Sequence, residues 1–183
     1  MRERGFTAIE LIMVLAIIAI IAMGATMSVF QLITVSRQNN DISTAVRHAQ
    51  NTGHWISRDT LMAESVTTDT LNINHAFITL NWTNYSAPED KHNEPPHVVY
   101  HKVYYILRSS ANSLYRIERN HVGFDKDGNE IENESAYIAD NINDIDYTWQ
   151  TNNGTWILTI VTEAGKQNVT REYQVAPRVG ATY

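Results

Sequence analysis

The sequence predicts an α+β protein in which one long N-terminal helix, apolar in its first half and amphipathic in its second, packs on an antiparallel β-sheet domain. Three observations carry this expectation. Leu11 to Phe30 are twenty residues without a charge, a stretch that rises about 30 Å as a helix and so matches the hydrocarbon core of a bilayer. Beyond it, apolar residues recur at Val35, Ile42, Ala45, Val46, Ala49, Ile56, Ala63 and Val66, the spacing of one helical face, and no proline interrupts residues 6–65. From about residue 66 the period changes to two, as a half-buried strand requires.

Within the first element, Thr26 and Ser28 lie near the far end of the apolar run, where their hydroxyls can bond back to the helix backbone. The run starts directly after a short basic segment holding Arg2 and Arg4, and it is too long for the core of a cleaved secretory leader. Small residues at Ala22, Gly24 and Ala25 are not preceded by the polar region that a signal peptidase site has. The two arginines place the start of the chain on the cytoplasmic face and everything after Phe30 outside. Glu10 stands at the mouth of the span. A carboxylate in hydrocarbon costs on the order of 3 kcal/mol, less near an interface, and marks a pairing with a cation. An amino terminus created on Phe6 by cleavage after Gly5, in the same chain or a neighbouring copy, would supply one.

Arg4-Gly5-Phe6-Thr7-Ala8-Ile9-Glu10-Leu11 followed by the apolar run resembles the processing site of type IV pilins and type II secretion pseudopilins. The resemblance implies that a prepilin peptidase removes residues 1–5 and methylates Phe6. It also implies that Glu10 pairs with the amino terminus of an adjacent subunit during assembly. It is strong over residues 1–35 and weak beyond them. One departure is the lack of any proline before Pro88, where many members carry one in the membrane helix; Gly24 is the soft point here. Looser likenesses, in residues 50–59 and 138–147, are to the larger minor pseudopilins of the J type and related minor pilins.

The second half of the helix, residues 31–65, is expected to continue the first and to pack on the outer domain, with Gly53 as a bend. In the domain, residues 66–183, strands are predicted at Ala76–Trp82, His97–Arg108 and, after the turn-forming residues 109–113, at Leu114–Asn120. Trp156, Leu158 and Ile160 alternate as a further strand, and Val169, Tyr173 and Val175 as another, with residues 163–167 as the hairpin turn between them. Residues 84–96, with Pro88, Pro95 and Pro96, read as an exposed loop.

The formal net charge of the chain is −6, and removal of residues 1–5 makes it one unit more negative. That balance disfavours general nucleic-acid binding, which rests on clustered Lys and Arg. A DNA-uptake role would need a local patch such as Lys91, Lys102, Arg108, Arg116 and Arg119. The absence of cysteine removes disulfide and thiol chemistry. No nucleophile elbow, zinc-protease helix or phosphate loop is present, so the sequence gives no support for an enzyme. Five Asn-x-Ser/Thr triplets would matter only in a glycosylating cell.

Two clusters could hold a metal. Residues 125–134 offer oxygen ligands and a tight-turn glycine suited to calcium, with Asp125, Asp127 and Glu134 as the candidates. Placing Gly128 at the turn position leaves Gly123 where the first acidic ligand belongs. An Asp-Gly turn between strands accounts for the same glycine without a metal. His97 and His101 share one side of a strand near His92, but zinc requires three or four converging ligands.

The expectation is therefore a minor pilin or pseudopilin, held in the bacterial inner membrane by residues 6–30 with its domain extracytoplasmic. Its partners would be the prepilin peptidase, other pilins in a hetero-oligomeric filament and the inner-membrane assembly platform, with no required cofactor. Small residues Ala16, Ala19, Ala22 and Gly24 would permit close helix approach in the filament core. The alternative is a signal-anchored extracytoplasmic binding domain.

Overall fold

The computed structural model of the 183-residue chain describes residues 7–69, 75–86, 97–110, 114–152 and 154–176. One helix, α1 (Ala8–Met62), precedes seven strands: β1 (Ser65–Thr68), β2 (Ala76–Ser86), β3 (His97–Ser109), β4 (Tyr115–Phe124), β5 (Glu130–Gln150), β6 (Thr155–Ala164) and β7 (Gln167–Val175). The chain divides into two compact units, residues 1–40 and residues 41–183.

In the first unit every side chain from Thr7 to Asn40 is exposed. The stretch is long and apolar enough to cross a membrane. As expected, the hydroxyls inside it turn back on the helix: Thr26 Oγ1 donates to the Ala22 carbonyl at 2.7 Å and Ser28 Oγ to that of Gly24 at 3.0 Å. Each polar atom is thereby satisfied without water.

In the second unit α1 from Asp41 onward packs on the sheet. Its buried residues, Ala45, Ala49, Thr52, Gly53, Ile56, Asp59 and Thr60, form one stripe at helical spacing. The stripe begins with small residues, so the backbone lies close to the strands. Thr162 Oγ1 reaches the Ala45 carbonyl at 2.9 Å, and Tyr173 Oη reaches that of Ala49 at 3.3 Å. Gly53 does not bend the helix, which continues through it. A Cβ there would lie 2.2 Å from the Tyr173 ring carbons, so the glycine makes room for an aromatic ring.

The sheet is an antiparallel meander whose spatial order is its sequence order. Its inner face holds Ile78, Leu80, Val103, Tyr105, Ile117, Ile142, Ile145, Leu158 and Ile160, all 2% exposed or less. In β6 buried and half-buried residues alternate without a break. The long strand β5 curls the sheet. Its first part pairs with β4 as far as Ile142, and from Ile142 it pairs with β6, with register shifts at the crossover. Asn141, at φ 60°, marks the corner; asparagine is one of the few residues that adopts this backbone readily.

Five strands stand where the sequence predicts them. β2 runs on to Ser86, which takes residues 84–86 out of the expected loop, and residues 87–96 lie outside the described residues. α1 stops at Met62, short of residue 65, because Ala63 and Glu64 already turn into β1, with Glu64 N bonded to the Asn81 carbonyl at 2.8 Å. The strands absent from the prediction are β1, which is only four residues long, and β5.

Candidate functional site

The first site is the start of α1. Gly5 and Phe6, the expected processing positions, lie outside the described residues. Thr7 precedes the first helical residue, Ala8, and Glu10 is the third. The Glu10 carboxylate accepts from Thr7 N and Thr7 Oγ1, both at 2.9 Å, and Glu10 N donates to Thr7 Oγ1 at 3.4 Å. This is a reciprocal capping box. Where the sequence suggested a cation beside Glu10, the carboxylate turns to its own chain, and Thr-x-x-Glu before an apolar run is the ordinary signature of that use.

A second constellation lies in the core of the outer unit. Asp59 has no solvent exposure, yet its carboxylate meets Arg119 Nε at 2.6 Å, Tyr105 Oη at 2.7 Å and Arg58 at 3.0 Å. Arg119 is itself 7% exposed, and its guanidinium lies over the Trp55 ring at 5.0 Å. A buried carboxylate needs this many donors to remain charged. Burial, and then the charge of Asp59, push the Tyr105 phenol well above its ordinary value. Nothing enclosed here is open to a substrate, and the group is a fastener between α1 and strands β3 and β4.

The other basic residues considered for a DNA patch are mostly engaged. Arg108 pairs with Glu118 at 2.8 Å and Arg116 with Asp140, while Lys102 lies over the Tyr104 ring. The Arg108 hydrogen bond, followed by that of Ser135, holds the Glu118 carboxyl below the usual range. Lys91 lies outside the described residues.

The structure separates the calcium candidates. Asp125 and Asp127 sit in the turn between β4 and β5, and Glu134 lies on β5 in register with His121. Asp125 is committed to the turn: its Oδ1 accepts from Asp127 N at 2.9 Å and Asn129 N at 2.8 Å, and its Oδ2 from Asn129 Nδ2 at 2.9 Å. The Asn129 amides do most to hold its carboxyl below the ordinary carboxylate range. Gly128, at φ 82°, closes the turn. The Asp-Gly hairpin explains each of these features locally.

The histidines are arranged otherwise than the sequence suggested. His92 lies outside the described residues, as does the side chain of His97. His101 instead meets His121 of the next strand, with Nδ1 and Nε2 2.9 Å apart, and Glu132 Oε1 stands 3.8 Å from His121 Nδ1. Ligand atoms of these three residues lie within 4.8 Å of one another. The Trp82 ring is nearly parallel to both imidazoles, its centroid 5.4 Å from His101 and 5.8 Å from His121. Burial, then the neighbouring His121, holds His101 below the usual imidazole range, against the opposing pull of Glu132. Sequence reasoning missed His121 and Glu132 because only strand register brings them to His101.

The two stretches that carried the looser family likeness meet where Asn51 Nδ2 donates to the Ile138 carbonyl. Residues flanking the first stretch also reach the second: the Asp140 amide donates to His48 Nδ1 at 3.2 Å, and Thr60 Oγ1 meets Tyr147 Oη at 2.8 Å. Comparison with protein-family models, with curated proteins and with solved structures gave no match.

Proposed function

We propose that the chain is a minor pilin or pseudopilin, a structural subunit that prepilin peptidase processes after Gly5 and that assembles, at or near the tip, into a type IV pilus or type II secretion pseudopilus. The observation that carries this reading is the junction before α1, where Gly5-Phe6-Thr7 leads into an acid-bearing helix whose apolar first half is exposed. The span would hold the subunit in the inner membrane before assembly, with the N-terminus cytoplasmic and the sheet domain outside. In the filament, such helices would bundle through the small residues Ala16, Ala19, Ala22 and Gly24.

The capping box adds a physical step. With Thr7 as its donor, Glu10 enters the membrane already hydrogen-bonded, which lowers the cost of carrying the carboxylate until a neighbouring amino terminus replaces Thr7. The same bonds also favour a plain anchor in which Glu10 only caps the helix. Mass spectrometry of the protein from its native membrane separates the two. A mature chain beginning at N-methylated Phe6 supports the filament subunit, and an intact Met1 supports the anchor and overturns the proposal.

A further inference from the structure

The inner face of the sheet continues beyond the end of α1, and there the pattern of apolar residues stops. Trp82, His101, Gly123 and Glu132 form one row across β2, β3, β4 and β5, each in register with the next. His121 lies two residues from Gly123 on β4, so it shares their face. In this corner two imidazoles and a carboxylate replace the aliphatic side chains seen elsewhere on that face.

Their arrangement has the marks of a built site. His121 is 12% exposed and Glu132 41%, so one ligand is anchored in the packed layer and another opens to solvent. The three residues come from three hydrogen-bonded strands, which hold them more rigidly than a loop would. Gly123 is the one glycine within a strand among the described residues, a position that weakens a sheet unless something must approach closely. Here the approaching group is Glu132: a Cβ on Gly123 would lie 3.1 Å from the Glu132 Cβ and 3.3 Å from Oε2. The missing side chain leaves the carboxylate free to lean over β4 toward the histidines.

We propose that His101, His121 and Glu132 bind one divalent transition-metal ion of the zinc class. Two imidazole nitrogens and one carboxylate are a zinc donor set, whereas calcium and magnesium select oxygen. Ligand atoms around a tetrahedral zinc ion stand about 3.3 Å apart, so rotations of the Glu132 and imidazole side chains convert the observed cluster into a coordination shell. The ring nitrogens of His101 and His121 now share a proton across their contact. On binding, that proton moves through solvent to the outer nitrogen, Nε2 of His101, which faces the Asn84 amide at 3.2 Å. The amide presents its oxygen to the new N–H in place of its NH2, and no net proton is lost. Asn84 would thus orient His101 in both states. A fourth position remains for water, as three protein ligands leave it open. The site clamps the ends of β3, β4 and β5 and requires no assembled filament.

The test uses the full-length chain in detergent, stripped of metal by a chelator. Calorimetric titration with Zn2+ should give one ion per chain, and Co2+ should give the visible absorption of a low-coordinate nitrogen and oxygen site. Glu132→Gln and His121→Gln should each weaken Zn2+ binding by about tenfold or more. Gly123→Ala keeps all three ligands yet should weaken it as well, because its methyl displaces the carboxylate. Circular dichroism checks that each variant is folded; the exposed position of Glu132 makes Glu132→Gln the variant safest in this respect. Absence of Zn2+ binding overturns the proposal. So does equal affinity in the His121→Gln/Glu132→Gln double variant, which would assign the ion to other histidines.

Discussion

The Asp59 carboxylate has no solvent exposure, and its place in the core rests on Arg119, Tyr105 and Arg58. Neutralising it strands the Arg119 guanidinium in the core. Asp59→Asn is therefore expected to remove about 3–5 kcal/mol of stability, the usual cost of breaking one half of a buried pair. Urea unfolding of the chain in detergent would show it as a lowered midpoint with an unchanged slope. A midpoint that does not move would mean that the pair contributes nothing. Gly53 supplies the opposite kind of test. Alanine is the better helix former by about 1 kcal/mol, but its methyl collides with the Tyr173 ring, and overpacking costs about 1–3 kcal/mol. Gly53→Ala should destabilise the wild-type chain and stabilise the Tyr173→Ala chain. The same sign in both backgrounds would refute the contact argument.

At the scale of elements, β5 joins the two parts of the sheet and is tied to α1 by His48, whose Nδ1 accepts from the Asp140 amide. An accepting imidazole must be neutral. Burial is the main cause that holds His48 below its ordinary value, with Arg47 adding to it and Asp140 opposing. The unfolded chain takes up the proton first, so this contribution is complete above about pH 6.5 and is lost as pH falls below it. His48→Gln should flatten the decline in stability on the acid side, leaving the remainder to His101 and the carboxylates. An unchanged profile in acid denaturation would reject the assignment. The turn between β6 and β7 makes a sharper demand: Gly165 has φ 62°, and a Cβ there would lie 2.2 Å from Asp41 Oδ2. Gly165→Ala should lower the melting temperature, and more than Lys166→Ala beside it. Thermal melts by circular dichroism would check this, and equal losses would refute it.

These elements also show what the sequence made legible. β6 was readable because one face is buried along its whole length, and α1 because its stripe keeps a helical period from Ala45 to Thr60. β5 was not: from Glu130 to Tyr137 nearly every residue is exposed, so no alternation records the pairing, which is carried by backbone bonds to β4. The cluster of His101, His121 and Glu132 was invisible for a related reason, since these residues become neighbours only through register. The Glu10 cap, by contrast, was legible in the sequence as Thr7-x-x-Glu10, although the acid at the mouth of an apolar run pointed first to a cation.

For the whole molecule, Thr7 and Glu10 separate helix capping from assembly. Glu10→Ala should leave leader removal intact and impair incorporation into a filament. Thr7→Val removes the cap, worth about 1 kcal/mol, but keeps the carboxylate, so incorporation should persist. Immunoblots of sheared filaments against whole cells would measure both. Equal defects in the two variants would reduce Glu10 to a capping residue and remove its intersubunit role.

The order in which the fold closes follows from the meander. Each strand pairs with the one made just before it, so hairpins can zip up as the polypeptide emerges. The carbonyls of Ala45 and Ala49, however, await Thr162 and Tyr173, 117 and 124 residues downstream. Early amphipathic turns thus stay uncovered until β6 and β7 arrive. A chain truncated before them would leave that face uncovered and open to proteolysis.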